Sequence, residues 1–171
     1  MRILFVRHGE PDYEHDSLTP KGFREAELLA DRLEKLKIKD FYCSPQGRAR
    51  ATAEPTLKRF HKEAVVYDWL REFSGYILDK ETNRKRIPWD LYPEDWTCRP
   101  AFYRNEEWYR DPIMMTGDVE EVYTYIAENI DLFLEQYGYH RDGNMYVCEE
   151  SNPDTIVIFC HLGVQFAILS H

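Results

Sequence analysis

The sequence predicts an α/β fold: a three-layer α/β/α sandwich around a mostly parallel sheet, with a subdomain inserted after the third strand. Two patterns carry this prediction. Short, continuous apolar runs, typical of strands that are buried on both faces of a sheet, alternate with segments of helical periodicity. The links between them are short, and strands that alternate with helices in this way pair in parallel through right-handed crossovers.

The strands and helices follow from these patterns in chain order. The predicted strands cover residues 1–6, 40–43, 64–67 and 155–160. Thr19 is a suitable N-cap and Pro20 a suitable first residue for a helix over residues 20–36. Ser44 and Pro45 predict the start of a second helix, which runs to residue 61. Further helices are predicted over residues 119–134 and from residue 163 onward.

Residues 74–117 interrupt the alternation of strands and helices. They contain tryptophans, prolines and many charged residues, without a clear period. We expect an ordered insertion with short helices, because the aromatic content is too high for a solvated linker. Tryptophan and tyrosine suit either of two uses here, a lid over a substrate or a small additional core, and the sequence leaves both open.

Length, composition and charge limit the class of protein. A chain of 171 residues is most simply one domain, so residues 1–171 are expected to form a single unit that includes the insertion. The net charge of −9 argues against nucleic acid or an anionic membrane as the partner. The sequence shows neither a signal peptide at its start nor a membrane-spanning run, so a cytoplasmic location is expected.

Cysteine usage fits the same compartment. The four cysteines have no spacing typical of metal ligands, which predicts free thiols in a reducing environment and no metal site. Two of them, Cys43 and Cys160, lie in apolar strand-like runs, where a thiol usually acts as a small apolar side chain.

Residues that suit phosphate chemistry follow all four predicted strands. The carboxyl ends of parallel strands meet at one edge of a sheet, which is where open α/β sheets bind ligands. The side chains expected at this edge are Arg7, His8, Ser44, Arg48, Glu72 and His161.

This set of side chains suits phosphoryl transfer. A neutral imidazole can attack phosphorus and form a covalent intermediate. A guanidinium group can bind two phosphate oxygens at once and stays charged. Helix N-termini add N–H donors. A carboxyl group can protonate the leaving alcohol. With this much positive charge from the protein, the chemistry requires no metal ion.

The motifs resemble those of a known family. They are Arg7-His8-Gly9-Glu10, Leu18-Thr19-Pro20-Lys21-Gly22, Ser44-Pro45-Gln46-Gly47-Arg48-Ala49 with Thr52-Ala53, and the strand that ends in His161. As a set they are similar to the histidine phosphatase superfamily, which has the phosphoglycerate mutase-like fold, in its branch of small bacterial phosphatases. The resemblance covers the chain except for the insertion.

The resemblance implies a role for each matching residue. His8 would be the phosphorylated nucleophile, and Arg7, Arg48 and His161 would hold the transferred phosphate. Glu72 falls in the region where the family carries its proton donor. The implied activity is metal-independent hydrolysis of a small phosphorylated substrate through a phosphohistidine, without a cofactor. Two alternatives stay open: a phosphoglycerate-type mutase, and a non-catalytic module that binds a phosphate ligand or a protein on the same fold.

Some of these residues also have simpler interpretations. Ser44 is equally suited to cap a helix or to contact phosphate, and Glu72 can pair with Arg71 or cap a turn. Both Arg50 and Arg71 are expected at the surface. The residues Asp12, Glu14, His15 and Asp16 are expected to form a solvated loop and not a metal site.

The chain departs from the family pattern at three places. Glu14 stands where many relatives have asparagine, which removes an amide contact to phosphate. Leu162 stands where small residues are usual, and it is expected to narrow the pocket. Only ten residues follow His161, so either the fold is abbreviated or the sequence is incomplete at its C-terminal end, and we favour the second.

Overall fold

The computed structural model describes residues 1–148 and 150–171. Within them the strands are β1 (Arg2–Arg7), β2 (Pro11–Asp12), β3 (Ser17–Leu18), β4 (Asp40–Cys43), β5 (Val65–Val66), β6 (Ile77–Leu78), β7 (Lys85–Arg86), β8 (Tyr139–Asp142), β9 (Met145–Cys148) and β10 (Thr155–Cys160). The α-helices are α1 (Pro20–Leu33), α2 (Gly47–Phe60), α3 (Pro93–Thr97), α4 (Val119–Glu135) and α5 (Leu162–Ser170).

The central sheet has the strand order β1–β10–β4–β5, and every pair in it is parallel. All six side chains of β10 are buried, which explains why its sequence is a nearly continuous apolar run. In the register of the sheet, Arg7 lies opposite Cys160, and Phe159 lies opposite Cys43. The carboxyl ends of β1, β10 and β4 therefore meet at one edge, as predicted.

Helices cover both faces of this sheet. Alternate residues of β10 point to opposite sides, so Val157 and Phe159 pack with α1 and α2, whereas Ile156 and Ile158 pack with α4 and α5. This arrangement is the predicted three-layer α/β/α sandwich, and the predicted fold class is confirmed.

Most predicted elements are present with small changes in length. Thr19 caps α1, since its Oγ1 accepts the N–H of Gly22 at 3.1 Å, and the helix ends three residues earlier than predicted. The long helix α4 is found one residue longer than predicted. The predicted third strand, residues 64–67, is reduced in the structure to the two residues of β5. Both valines are about half exposed at the edge of the sheet. No helix among the described residues is long and apolar enough to cross a membrane.

The predicted start of α2 is wrong. Gln46 occupies the N-cap position and the helix begins at Gly47. The side chain of Ser44 does not cap this helix. Its Oγ accepts the N–H of Gln46 at 3.3 Å, before the helix begins, and lies 2.8 Å from His161 Nε2. Residues 45–46 form a bend between β4 and the helix, so the helix starts two residues later than predicted.

Residues 74–117 contain β6 and β7, α3 and several single turns of 3₁₀ helix. The buried Trp108, Ile113 and Met114 from this segment join the core beneath α4. Beyond α4, β8 and β9 form an antiparallel hairpin that the sequence analysis missed. Gly143 in its turn has a φ of +59°, a conformation that glycine adopts without strain.

The two cysteines predicted to be apolar core residues are indeed buried. Cys43 and Cys160 are each 2% exposed or less, and burial raises the pKa of both thiols to about 12. A thiol with such a pKa stays protonated at neutral pH and is unreactive. Cys98 and Cys148 are also free.

Candidate active site

The structure brings the predicted site residues together at the carboxyl edge of the sheet. His8, Glu72 and His161 each present a ligand atom, and these three atoms lie within 4.8 Å of one another. The rings of His8 and His161 have their centroids 5.2 Å apart. Arg48 follows β4 in the first turn of α2, and its charge acts on both imidazoles.

His8 is held in one tautomer. Its Nδ1 lies 2.8 Å from the carbonyl oxygen of Gly9, which can only accept, so Nδ1 carries the hydrogen and Nε2 keeps its lone pair. The turn itself is fixed by Thr52, whose Oγ1 accepts the N–H of Gly9 at 3.0 Å. Burial lowers the pKa of His8, and Arg48 and Arg7 lower it further, so the imidazole is neutral at neutral pH.

His161 is fully buried at the end of β10. Its Nε2 lies 2.8 Å from the hydroxyl oxygen of Ser44, which is also fully buried. The Nδ1 atom is buried and has no partner in the described part of the chain. Burial, followed by the charge of Arg48, lowers the pKa of His161 to about 3, so this residue enters the site as a neutral imidazole.

Arg48 is fixed by a carboxylate that the sequence analysis did not assign to the site. Asp16 Oδ1 lies 2.7 Å from Arg48 Nη1, and Asp16 Oδ2 accepts the N–H of Gly47 at 2.6 Å. Burial raises the pKa of Asp16, but the Gly47 N–H and the Arg48 guanidinium outweigh it and hold that pKa below its ordinary value. The Asp16 side chain is 48% exposed, so the expectation of a solvated loop holds in part, but the carboxylate also pairs with Arg48 in the site.

The rest of that loop behaves as expected. Asp12 pairs with His15, with Oδ2 and Nδ1 2.8 Å apart, and both Glu14 and His15 are exposed. The sequence could not distinguish Asp16 from its neighbours, because its partners lie on a helix that begins more than 30 residues away.

Arg7 lies at the end of β1 and is exposed. It makes no ion pair within residues 1–148 and 150–171. Its charge nevertheless contributes to lowering the pKa of both His8 and His161. An arginine that is exposed and close to the imidazoles is available to an incoming anion.

Glu72 faces the same edge and does not pair with Arg71, which contacts Asp68 instead. Its Oε1 accepts the N–H of Gly163 at 2.8 Å and the N–H of Phe73 at 2.9 Å. These two donors fix one oxygen of the carboxyl group and leave Oε2 for a ligand. The N–H of Glu72 is bound in turn by Gln46 Oε1 at 2.7 Å, a contact that the sequence analysis missed.

The donor atoms of His8, Glu72 and His161 are also close enough together to hold a metal ion. The surrounding charge favours the opposite ligand. Two guanidinium groups, those of Arg7 and Arg48, lie near both imidazoles, so the electrostatics suit an anion better than a cation.

We compared the chain with known proteins both by sequence and by structure. The curated "2,3-bisphosphoglycerate-dependent phosphoglycerate mutase" of Thermoplasma acidophilum is 36% identical over an alignment of 92 residues, and the match covers 48% of this chain and 44% of that protein. The "Putative phosphoserine phosphatase 2" of Hydrogenobacter thermophilus is 37% identical over an alignment of 82 residues, and the match covers 43% of this chain and 40% of that protein. The matched segment thus spans less than half the length of these curated relatives.

Solved structures show the same fold. One of a putative alpha-ribazole-5'-P phosphatase from Escherichia coli K-12 superimposes with a TM-score of 0.59 at 20% identity, over 99% of this chain and 78% of that one. The family model of the histidine phosphatase superfamily (branch 1) matches residues 3–171, from β1 through α5. On that match, the chain belongs to the histidine phosphatase superfamily.

Proposed function

We propose that this chain hydrolyses phosphomonoesters through a phosphohistidine formed on His8. The state of the His8 imidazole carries this proposal. Its Nδ1 is committed to the Gly9 carbonyl, and its lowered pKa keeps Nε2 unprotonated and nucleophilic at neutral pH. The ring lies beside the two guanidinium groups that an anionic substrate needs.

Three groups stabilise the transferred phosphoryl group in this proposal. Arg7 and Arg48 bind its oxygens as permanent cations. Before an anion binds, burial and the charge of Arg48 lower the pKa of His161 to about 3, so His161 meets the phosphoryl group as a neutral hydrogen-bond donor. When the Ser44 hydroxyl donates to Nε2, Nδ1 carries the hydrogen, and this buried N–H has no partner among the described residues. A phosphate oxygen would supply that partner.

Glu72 is the proposed acid and base. In the first step His8 Nε2 bonds to phosphorus, the bond from phosphorus to the ester oxygen breaks, and Glu72 gives its proton to the departing alcohol. In the second step water attacks the phosphohistidine while Glu72 takes the proton, which releases inorganic phosphate and restores His8. The carboxyl group is oriented for both steps by the backbone N–H groups that hold Oε1.

The proposal also covers the substrate class, the extent of the catalytic domain and the cellular location. The substrate is a small phosphorylated molecule, and residues 1–171 act as one catalytic domain that includes the segment 74–117. A cytoplasmic location fits the four free thiols.

The first experiment measures release of p-nitrophenol from its phosphate ester in excess EDTA. We expect the wild type and the matched control His15→Ala, which changes an exposed histidine, to be active, and His8→Ala to be inactive. Acid-labile phosphate trapped on the wild type after rapid denaturation would identify the intermediate. Full activity of His8→Ala would falsify the proposal, and loss of activity in EDTA would show that a metal ion takes part.

A phosphoglycerate-type mutase is the second candidate, because the relative from Thermoplasma acidophilum is named as one. A mutase returns the phosphoryl group to its substrate, whereas a hydrolase passes it to water. Transfer of labelled phosphate between phosphoglycerates, measured against release of inorganic phosphate, separates the two. A non-catalytic binding module would do neither and would still bind phosphate.

A further inference from the structure

We propose that Gln46 is a positioning residue, which holds the proton donor Glu72 in place relative to Arg48. This inference rests on the proposed phosphatase function. Gln46 occupies the N-cap position of α2, two residues before Arg48. Its Oε1 accepts the backbone N–H of Glu72 at 2.7 Å, across a separation of 26 residues in the chain. One side chain thus links the helix that carries the arginine to the segment that carries the acid.

The contact determines how the Gln46 amide is oriented. A backbone N–H only donates, so the side-chain atom that it meets is the amide oxygen. This side chain makes no hydrogen bond that caps its own helix. The helix start depends instead on the Gln46 backbone carbonyl, which accepts the N–H groups of Ala49 and Arg50 at 3.1 Å each. A change of this side chain therefore removes the contact with Glu72 and keeps the backbone bonds at the start of α2.

Glu72 depends on distant partners for its position. It lies between the 3₁₀ turn Asp68–Leu70 and β6, in a segment without regular secondary structure. Its carboxyl group is held by the N–H groups of Gly163, in α5, and of Phe73. Its backbone is held by Gln46. The helices that supply these anchors follow β10 and β4, so a loop residue is tied to the edge of the central sheet.

The proposed reaction needs this placement. Arg48 binds the phosphoryl group while Glu72 reaches the ester oxygen of the same substrate, so the two side chains must keep a fixed separation. Productive geometry is held to within about 0.5 Å in catalytic sites. A displacement of about 1 Å can cost about 100-fold in rate. Without the Gln46 contact, the phosphate would still bind and proton donation would suffer.

The leaving group distinguishes a displaced acid from general damage. p-Nitrophenolate is a stable anion and leaves phosphorus with little help from an acid. An ordinary alcohol must take the Glu72 proton as its bond to phosphorus breaks. Both kinds of ester present the same phosphoryl group to Arg48. A fault at Arg48 therefore slows both esters alike, whereas a fault at Glu72 slows the alkyl ester more.

The test compares p-nitrophenyl phosphate with p-nitrobenzyl phosphate, which differ by one methylene group. For each ester, kcat/KM reports the steps up to release of the alcohol, so the later attack of water does not enter the comparison. Gln46→Met removes the acceptor at similar size. We expect it to lower kcat/KM about tenfold more for the benzyl ester than for the phenyl ester. The control Gln136→Met, at an exposed glutamine at the end of α4, should keep the wild-type ratio.

Rescue by Gln46→Glu identifies the acceptor as the cause. Glutamate keeps an oxygen at the same reach, and its negative charge weakens binding of both phosphates alike. We therefore expect kcat/KM to fall for both esters while their ratio stays near that of the wild type. Equal losses for the two esters in Gln46→Met would overturn the inference. A ratio in Gln46→Glu as low as in Gln46→Met would overturn it too.

The wild type separates this inference from the function on which it rests. If the wild type hydrolyses neither ester, the phosphatase function fails and the inference fails with it. If it hydrolyses only the phenyl ester, proton donation is absent and the inference alone is wrong. Amide hydrogen exchange at Glu72 checks the contact without turnover, and it should be several times faster in Gln46→Met. Equal exchange in the two proteins would contradict the anchoring role.

Discussion

Asp16 holds Arg48 from two sides, through the guanidinium and through the backbone at the start of its helix. Its Oδ1 lies 2.7 Å from Arg48 Nη1, and its Oδ2 accepts the Gly47 N–H at 2.6 Å. The backbones also approach closely, since a Cβ on Gly47 would lie only 2.0 Å from the carbonyl oxygen of Asp16. Arg48, the arginine proposed to bind phosphate, is therefore fixed before any substrate arrives.

Removing the Asp16 carboxylate should weaken catalysis by releasing Arg48. We expect Asp16→Ala to lower kcat/KM about tenfold and Asp16→Asn, which keeps an acceptor, to lose less. Asp12→Asn is the control in the same loop. If Asp16 only screened positive charge, Asp16→Asn would bind inorganic phosphate more tightly than the wild type, and product-inhibition constants measure this directly.

Loss of the Ser44 hydroxyl should affect both stability and activity. Ser44→Ala leaves His161 Nε2 buried without its hydroxyl partner, which costs about 1–3 kcal/mol in the free energy of unfolding. It also frees His161 to take the other tautomer, so we expect kcat to fall. Urea unfolding and steady-state kinetics are the measurements, with the exposed Ser74→Ala as control. A variant equal to the wild type in both would show that the contact is dispensable.

The pH profile of kcat/KM should have its acidic limb below pH 6.5. Protonated His8 cannot attack phosphorus, and burial together with Arg48 and Arg7 holds its pKa below the ordinary value of 6.5. Activity is thus retained at pH 6.5 and lost only as the pH falls through this lowered pKa. NMR titration of His8 in Arg48→Met should give a higher pKa than in the wild type. A wild-type limb at or above pH 6.5 would contradict this account.

Stability should fall with pH because of His161. The group is protonated at about pH 6.5 when unfolded but only near pH 3 when folded, so the unfolded state binds more protons between these values. The free energy of unfolding should then drop by about 1.6 kcal/mol between pH 6.5 and 5, with a slope that approaches about 1.4 kcal/mol per unit at the lower pH. His161→Asn should show a shallower dependence. Equal slopes for the two proteins would argue against a depressed pKa.

A side chain at position 163 should be harmful although it suits a helix. Alanine is normally favoured over glycine in a helix by about 1 kcal/mol. Here a Cβ would approach Glu72 Oε1 to 2.8 Å and Trp89 Nε1 to 2.5 Å. We expect Gly163→Ala to lower both the melting temperature and kcat, since Glu72 must shift. Unchanged kcat with a raised melting temperature would show that the two side chains move aside freely.

Local patterns predicted those parts of the fold whose causes are local. The apolar run of β10 indicates a strand buried on both faces, and Thr19 before Pro20 indicates a cap, because each signal lies within a few neighbouring residues. The gathering of His8, Arg48, Glu72 and His161 at one edge followed from parallel pairing alone.

Contacts between distant segments were beyond such reasoning. In the sequence, Asp16 cannot be told from the other acidic residues of its loop, because its contact with Arg48 exists only in the folded chain. The contact of Ser44 with His161 of the distant C-terminal segment is equally invisible in the sequence. The hairpin of β8 and β9 was missed although its turn contains Gly143, because its strands are short and half exposed. These features depend on tertiary packing, which is difficult to infer from a single sequence.

The position of β10 also determines when the protein can fold. This strand is the middle of the sheet, yet it comes more than 110 residues after β4 and about 150 after β1, its two neighbours. Neither neighbour can complete its pairing until residues 155–160 have left the ribosome, and closing such long loops is slow. Until then, the newly made N-terminal half has unpaired backbone groups along β1 and β4. During this time it is most prone to aggregate and most accessible to chaperones.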